Sequence, residues 1–525
     1  MEENSKVKQI KKRFELAKKR KSLWDELYEE VLEFSTPHRD VFNEDFETPG
    51  QDKMGRNLVF DSTAQEAHHK AASNIQSSLV PPMKNWIKFK AGPLLEDSDD
   101  TRQLLEDIGE VFFTNLHNSN FDTQIAESIL DLIVGTGALL VLKGNANQPF
   151  RFVNVPLTQL FLEEGANGVI DTAFRYSKIK IRNIEATWED AKLNDILKER
   201  LAQDPGAEVK ILEATMPKKI SVFDSETNTR SSQDGYEYVV LVDEEEMTTP
   251  LVEREQKSSP WVVFRWSTIP GEIYGRGPLM FALPDIKTLN KTKELLLESA
   301  SIAIFGMYTV EDDGIVNWEN VELGAGAMIP VDSNGRQGRG PSLQPLATPG
   351  DPNLAQIIIE DLRNSINQML FADPLGRVDL PVKSATEISL RQQELSKRIG
   401  SAFGKLQFEL ITPLVNRCLD ILDELGLIDL GPFRVDGNVL AIQHVSPLAL
   451  AQEEEDILSI TRLAEIIAGL YGPEVLTGLM PPDRFMTTVK DKLNIPNSAT
   501  ATQQEIEALR QAILQQAQQP PPGSA

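Results

Sequence analysis

The sequence predicts an α+β fold: a mixed body of helices and strands, followed by two long helices that bracket a small β-rich insert. Three observations carry this expectation. Over the first 280 residues, apolar positions switch repeatedly between helical spacing and two-residue alternation. From Leu279 a helical pattern then runs through Ala282, Leu283, Ile286, Leu289, Leu296, Leu297, Ala300, Ala303 and Ile304. Between residues 306 and 350 the composition shifts to eight glycines and four prolines, which excludes a helix there.

The elements follow in order. Residues 6–21 carry nine Lys or Arg, and Val7, Ile10, Phe14, Ala17, Trp24, Leu27, Val31 and Phe34 form one apolar face, so the chain opens with an amphipathic, basic helix. In NLVFDSTAQEAHHKAASNIQSSLVPP a helix is capped by Asp61, Ser62 or Thr63 and stopped by Pro81-Pro82. Two more helices are expected over 101–118 and 121–134. LLVLKG, FRFVNV and TAFRYSKIKI then read as strands, with turns at NANQP and EEGANG. A helix over 183–203 precedes a strand pair, KILEATMPKKISVF and YEYVVLVD, and a further strand in PWVVFRW.

Within 306–350, MYTV, IVNW and MIPV are short strand-like pieces. Asp351-Pro352 starts a second helix with Leu354, Ile358, Leu362, Ile366 and Met369 on one stripe. ADPLGRVDLPVKSAT interrupts it, and a very long helical pattern follows from Glu387, bent at Pro413 and ended at Gly426. Polar-faced helices and the tail PPPGSA complete the chain, the last six residues expected to be disordered.

At 525 residues, with 41% hydrophobic and 25% charged residues, the chain reads as globular, with a large core. The most apolar run, LIVGTGALLVL, is too short and glycine-rich to cross a membrane, and the charged N-terminus does not resemble a secretory signal. The single cysteine, Cys418, excludes an intrachain disulfide framework and fits a reducing cytoplasm; it sits in an apolar helix, where it reads as inert. GxxxxGK[ST], HExxH, CxxC and GxSxG are absent, and GAGAM at 324–328 lacks the third glycine of a dinucleotide fingerprint. His68 and His69 are adjacent, so a helix would point them to different faces, a poor metal pair. Asn290-Lys291-Thr292 matches a glycosylation sequon by chance, within a helix. Nothing here argues for an enzyme, a cofactor or a metal. The net charge of −26 argues against gripping duplex DNA, because phosphate contacts need Lys and Arg.

Two long helices that bracket a compact insert make a stalk with a head. On the first of them Lys287, Lys291, Glu294 and Glu298 share one polar face by three- and four-residue steps. At about 1.5 Å per residue such helices reach some 30–40 Å, more than a monomer readily covers. The hairpin wants neighbours of its own kind.

Four stretches resemble a known family, the head-to-tail connector (portal) proteins of short-tailed phages. They are FDSTAQEAHHKAASNIQSSLVPPMKNWIKFK (60–90), DLIVGTGALLVL (131–142), IPGEIYGRGPLMFALPDIKTLN (269–290) and KSATEISLRQQE (383–394). With the order of elements, the likeness covers roughly residues 20 to 450. It implies a portal fold with wing, helical stem, β-rich clip and helical crown, assembled as a ring of twelve. Residues 1–277 would be the wing, 278–305 and 351–371 the two stem helices, 306–350 the clip and 372–385 a tunnel loop. Residues 386–452 would form a long wing helix and return strand, 453–519 the crown, and 520–525 a tail.

The resemblance further implies a homododecamer at one capsid vertex of the virion, assembled in the host cytoplasm. Double-stranded DNA would pass through its channel. The partners implied are the large terminase subunit, then the tail adaptor protein, with the major capsid and scaffolding proteins around the ring, and no membrane. Twelve chains would carry twelve times −26, or −312, and repel the DNA backbone over a Debye length of roughly 8 Å. Lys287 and Lys291 on the stem, beside Glu294 and Glu298, and Arg377, Asp379 and Lys383 in the loop become the expected channel residues. Trp318, Glu319 and Asn320 become clip contacts. Gly275, Gly277 and Pro278 become the wing-to-stem hinge, its glycines supplying a sharp turn. The alternative is a structural adaptor or scaffold protein of another kind, with its helical hairpin packed within one chain. A nuclease using scattered carboxylates lacks any defined metal spacing.

Overall fold

The computed structural model describes residues 2–39, 59–91, 99–165, 168–204, 206–224, 229–244, 247, 249–305, 308–311, 328–331, 343–345, 352–372, 400, 402–430, 440–444, 457, 460–467 and 469. It is a mixed helical and sheet structure, as the composition and periodicity predict.

The chain opens with α1 (Glu2–Ser35), then α2 (Thr63–Leu79), β1 (Ile87–Ala91), α3 (Asp99–His117) and α4 (Phe121–Val134). Strands β2 (Thr136–Lys143), β3 (Phe150–Asn154), β4 (Leu160–Glu164) and β5 (Ile170–Lys180) follow. The helix expected over 183–203 divides into α5 (Ile184–Thr187) and α6 (Asp195–Gln203). The break has a cause: Trp188 turns into the core and its indole N–H donates to the Tyr238 hydroxyl at 3.1 Å. That hydroxyl in turn donates to Glu213 at 2.6 Å.

Strands β6 (Glu208–Asp224), β7 (Thr229–Val242) and β8 (Val252–Gln256) complete an antiparallel sheet in the order β4-β5-β6-β7-β8. Two-residue alternation makes this sheet the centre of a sandwich. Ile211, Tyr238, Val240 and Val242 face α5 and α6. Leu212, Ala214, Val239 and Leu241 face α1, which lays Val7, Ile10, Phe14 and Ala17 across them. Phe14 meets Phe161 edge-on with ring centroids 5.0 Å apart.

The basic side of α1 is partly spent on the same sheet. Lys6 reaches Glu237 and Glu253, and Arg13 donates twice to Glu163. Lys21 is buried, 4.4 Å from the Phe161 ring centre, with its ammonium 3.2 Å from Asp25 and donating to the Thr158 carbonyl. Burial pulls its pKa down to about 8, against the pull of Asp25.

The second body is built on the three-stranded sheet β3-β2-β9, where β9 is Trp261–Arg265. Against it packs α4, and α2 and the first half of α7 (Pro278–Phe305) share the same apolar core. Strands β10 (Tyr308–Glu311), β11 (Met328–Val331) and β12 (Leu343–Pro345) form a separate small sheet in the order β11-β10-β12. The sequence marks the first two; three residues between prolines gave no signal for the third. The expected strand IVNW lies outside the described residues.

Helix α8 (Pro352–Met369) packs on α7 and α2. The start of the long helix expected from Glu387 also lies outside the described residues. From Ala402 the chain is helical, widens into a π-turn at Gln407–Ile411, and continues as α9 (Thr412–Glu424). Pro413 therefore sits just after a widened turn, which accommodates the hydrogen bond its ring cannot make. Gly426 takes φ +69° and its N–H donates to the Asp423 carbonyl, ending the helix as expected. Cys418 is fully buried, and burial pushes its thiol far above the ordinary range. β13 (Leu440–His444) pairs antiparallel with β1. No helix among the described residues is long and apolar enough to cross a membrane.

The tightest backbone approach lies where α7 begins. A Cβ on Gly277 would stand 2.0 Å from the Ile133 carbonyl oxygen, whereas one on Gly404 would meet nothing within 4 Å. Gly277→Ala is expected to cost about 3 kcal/mol or more. Gly404→Ala, inside a helix, is expected to gain about 0.5–1 kcal/mol. Urea denaturation of both variants checks the pair.

Candidate functional site

Helix α7 begins on a strip of backbone laid against backbone. Residues 275–277 run beside the junction of α4 and β2. The Gly275 N–H donates to Thr136 Oγ1 at 2.8 Å, and the Gly277 N–H donates to the Val134 carbonyl at 3.1 Å. Tyr28 donates its hydroxyl to the Gly275 carbonyl at 3.2 Å, and Trp266 N–H donates to the Gly135 carbonyl at 3.1 Å. A Cβ on Gly275 would lie 2.3 Å from the Gly135 oxygen. Among the described residues the positive-φ glycines are Gly168, Gly271 and Gly426, so Gly275 and Gly277 are needed for closeness and not for a sharp turn. The expected hinge is a weld. Between its glycines, Arg276 forks onto Glu272 at 2.9 and 2.7 Å and lies 5.3 Å from the Trp24 ring centre.

From Pro278 the helix enters the core. Leu279, Ala282, Leu283, Ile286 and Leu289 are buried. Beyond Asn290 every described side chain of α7 is exposed or half-buried: Leu295 is 52% exposed and Ile304 79%. Helix α8 repeats this. Ile359 and Ile366 are buried, as is Leu370 just beyond the helix, while Leu354, Ile358 and Met369, three of the predicted apolar stripe, are exposed, with Ile357 at 65%. The paired helices thus carry an apolar face that no other described residue covers.

The four polar residues of α7 singled out by spacing divide between two environments. Lys287 pairs with Glu30 of α1 and lies 5.2 Å from the Phe34 ring centre, so it is held against the body. Lys291 is exposed and donates to Glu294 at 2.8 Å, a contact that raises its pKa. Glu298 is exposed. Arg377, Asp379, Lys383, Trp318, Glu319 and Asn320 lie outside the described residues.

Sequence reasoning missed the ties that seat α8. Arg363 forks onto Asp61 at 2.6 and 3.2 Å, Ser365 donates to Asp285 at 2.9 Å, and Asn74 donates to the Phe371 carbonyl at 3.0 Å. Asn290, the residue of the chance sequon, is buried and accepts the Phe60 N–H at 2.6 Å. Partners some 80 to 300 positions apart leave no local pattern to read. A further buried pair, Arg265 with Glu409 at 2.7 Å, fastens the π-turn to β9. His68 is buried with Nε2 2.9 Å from the Leu130 carbonyl, and no metal-holding cluster occurs among the described residues.

Residues 7–500 match the family described as bacteriophage head to tail connecting protein. The chain belongs to that family. This connector is 21% identical over 506 residues to the portal protein of Salmonella phage epsilon15, covering 89% of this chain and 84% of the relative. It is 21% identical over 529 residues to the probable portal protein of Bordetella phage BPP-1, covering 99% and 93%. To the portal protein of Pseudomonas phage phiKMV it is 24% identical over 228 residues, 42% of this chain and 40% of that one. The match spans more of the connector than the stretches quoted above, reaching the basic helix at one end and residue 500 at the other.

The Arg363–Asp61 pair makes a pH-dependent prediction. Asp61 is held below the ordinary carboxylate range: burial opposes this, and the hydrogen bonds from Thr63 and Arg363 outweigh it. A depressed pKa contributes stability above the unfolded value that is lost as pH falls through the folded one. Arg363→Ala is therefore expected to cost about 1 kcal/mol at pH 7, the difference shrinking below about pH 4. Thermal melts of both proteins across pH 3–7 check the sign.

Proposed function

We propose that this connector works as a portal ring: twelve copies close around a channel at one capsid vertex, and duplex DNA passes through it in packaging and ejection. The observation that carries the reading is the uncovered apolar face of α7 and α8. Leu295, Leu297, Ile304, Leu354, Ile357 and Ile358 stand in water in a single chain, an arrangement that marks an interaction surface. A heterologous interface closed by rotation joins two different patches of the same chain, and in this reading the exposed side chains of α7 and of α8 supply one patch each. An adaptor with its hairpin packed inside one chain would bury that face, so the second reading is not favoured.

In this reading the two stem helices, 278–305 and 351–371, line the channel. Lys291, with Glu294 and Glu298 beside it, faces the DNA, while Lys287 braces the stem on α1. Residues 306–350 form the clip, with Trp318, Glu319 and Asn320 in contact first with the large terminase subunit and later with the tail adaptor protein. Loop 372–385 narrows the channel with Arg377, Asp379 and Lys383. A crown over 453–519 faces the capsid interior, and the major capsid and scaffolding proteins surround the wing. The role is a conduit, with no nucleotide hydrolysis of its own and no cofactor.

Native mass spectrometry with electron microscopy tests this. The expected particle is a ring with a central hole near 0.7 MDa, twelve chains of 58.5 kDa. Leu297→Asp combined with Ile357→Asp is expected to leave the circular-dichroism spectrum intact and drop the particle to single chains. A compact monomer at micromolar concentration from the unaltered protein would sink the reading.

A further inference from the structure

Two more faces have no partner among the described residues, and their chemistry is complementary. On α1, whose apolar side is committed to the sheet, the outward stripe reads Lys8, Lys12, Leu16, Lys19, Arg20 and Leu23, at three- and four-residue steps. All six are exposed, Leu16 to 52% and Leu23 to 82%. None of the four cations has an ion pair among the described residues, unlike Lys6, Arg13 and Lys21 on the inner side. Glu15 is the one carboxylate between Lys8 and Arg20.

On α3 the outward stripe is acidic. Leu104, Asp107 and Glu110 are exposed, and neither carboxylate has a partner among the described residues. The sequence sets Glu96, Asp97, Asp99, Asp100 and Glu106 close by, with Arg102 the only cation from 96 to 110. At about 1.5 Å per residue the basic stripe runs about 22 Å, and the acidic part of α3, from Asp99 to Glu110, about 17 Å.

We infer that α1 of one copy docks its basic, leucine-bearing stripe on α3 of the next copy, so that the wing carries its own electrostatic latch around the ring. The occupant follows from the chemistry. Nucleic acid would use the cations and leave Leu16 and Leu23 in water, whereas α3 offers carboxylates with Leu104 among them. A face meeting a different face repeats head to tail, the geometry of a closing ring. The inference rests on the ring reading but adds to the stem contact a second one that sets orientation and salt dependence.

The test uses the full-length chain and three variants, with assembly followed by mass photometry from 0.05 to 0.5 M salt. Lys12→Glu with Lys19→Glu and Arg20→Glu is expected to lower the ring fraction at least tenfold at 0.15 M salt and to flatten its salt dependence. Asp107→Lys with Glu110→Lys is expected to do the same. All five changes together should restore the ring, because every junction then pairs reversed charges. Rings that form normally in either single-face variant would overturn the latch and leave the ring reading standing. Failure of the five-fold variant to recover, with circular dichroism unchanged, would also overturn it. So would intact rings whose charge-reversed α1 instead loses duplex DNA, coat or scaffolding protein in a co-sedimentation assay. If the unaltered chain never assembles, the ring reading itself fails first.

Discussion

Much of the architecture depends on one close approach: the backbone of residues 275–277 against that of residues 133–136. Two strips of main chain lie so near that a Cβ at Gly135, Gly275 or Gly277 would overlap a carbonyl oxygen of the other. The approach is held by the Gly275 N–H, which donates to Thr136 Oγ1 of β2, and by the Tyr28 hydroxyl of α1, which donates to the Gly275 carbonyl. Packing at this distance fixes the direction in which α7 leaves. Its first three turns then fill the core beside α2 and α4, and its last turns carry apolar side chains into water. Helix α8 returns along it and is seated on α2 by Asp61 and Asn74. A rigid root with an uncovered distal half suits a subunit that completes itself by assembly.

Electrostatics divides the same way. The net charge of −26 is uneven, and α1 spends part of its basic side on the chain's own sheet. Such contacts at the surface contribute little individually, roughly 0–1 kcal/mol each. The apolar packing of Phe14, Ile10 and Val7 carries most of the adhesion, with the ion pairs fixing register. In the proposed ring, an acidic wall with few free cations would let DNA slide, since each fixed phosphate contact would add to the salt-dependent grip.

Local patterns made most elements legible. The period of α4, the alternation in β5 to β7 and the Gly426 stop each follow from side-chain placement along one segment. Trp188 defeated the single helix over 183–203, because a buried hydrogen bond to Tyr238, fifty residues away, outweighed local helical preference. On α8, periodicity marked Leu354 and Ile358 as one apolar stripe, but periodicity does not report whose chain covers such a face. At the site, the sequence found the GRGP stretch but assigned its glycines to a turn. Their true constraint is the backbone of residues 133–136, which no local pattern contains. Lys287 was grouped with Lys291 by spacing alone, although Glu30 lies 257 positions away.

The central claim is that α7 is welded at its root and unsatisfied at its tip until copies assemble. Amide hydrogen exchange on the full-length chain, dissociated and assembled, tests it most directly. The account predicts that the amides of Gly275 and Gly277 exchange as slowly as those of β2 in both states. It predicts that α7 beyond Glu294 exchanges fast when dissociated and becomes protected on assembly. Root amides that exchange at loop rates, or a distal half equally protected in both states, would contradict it.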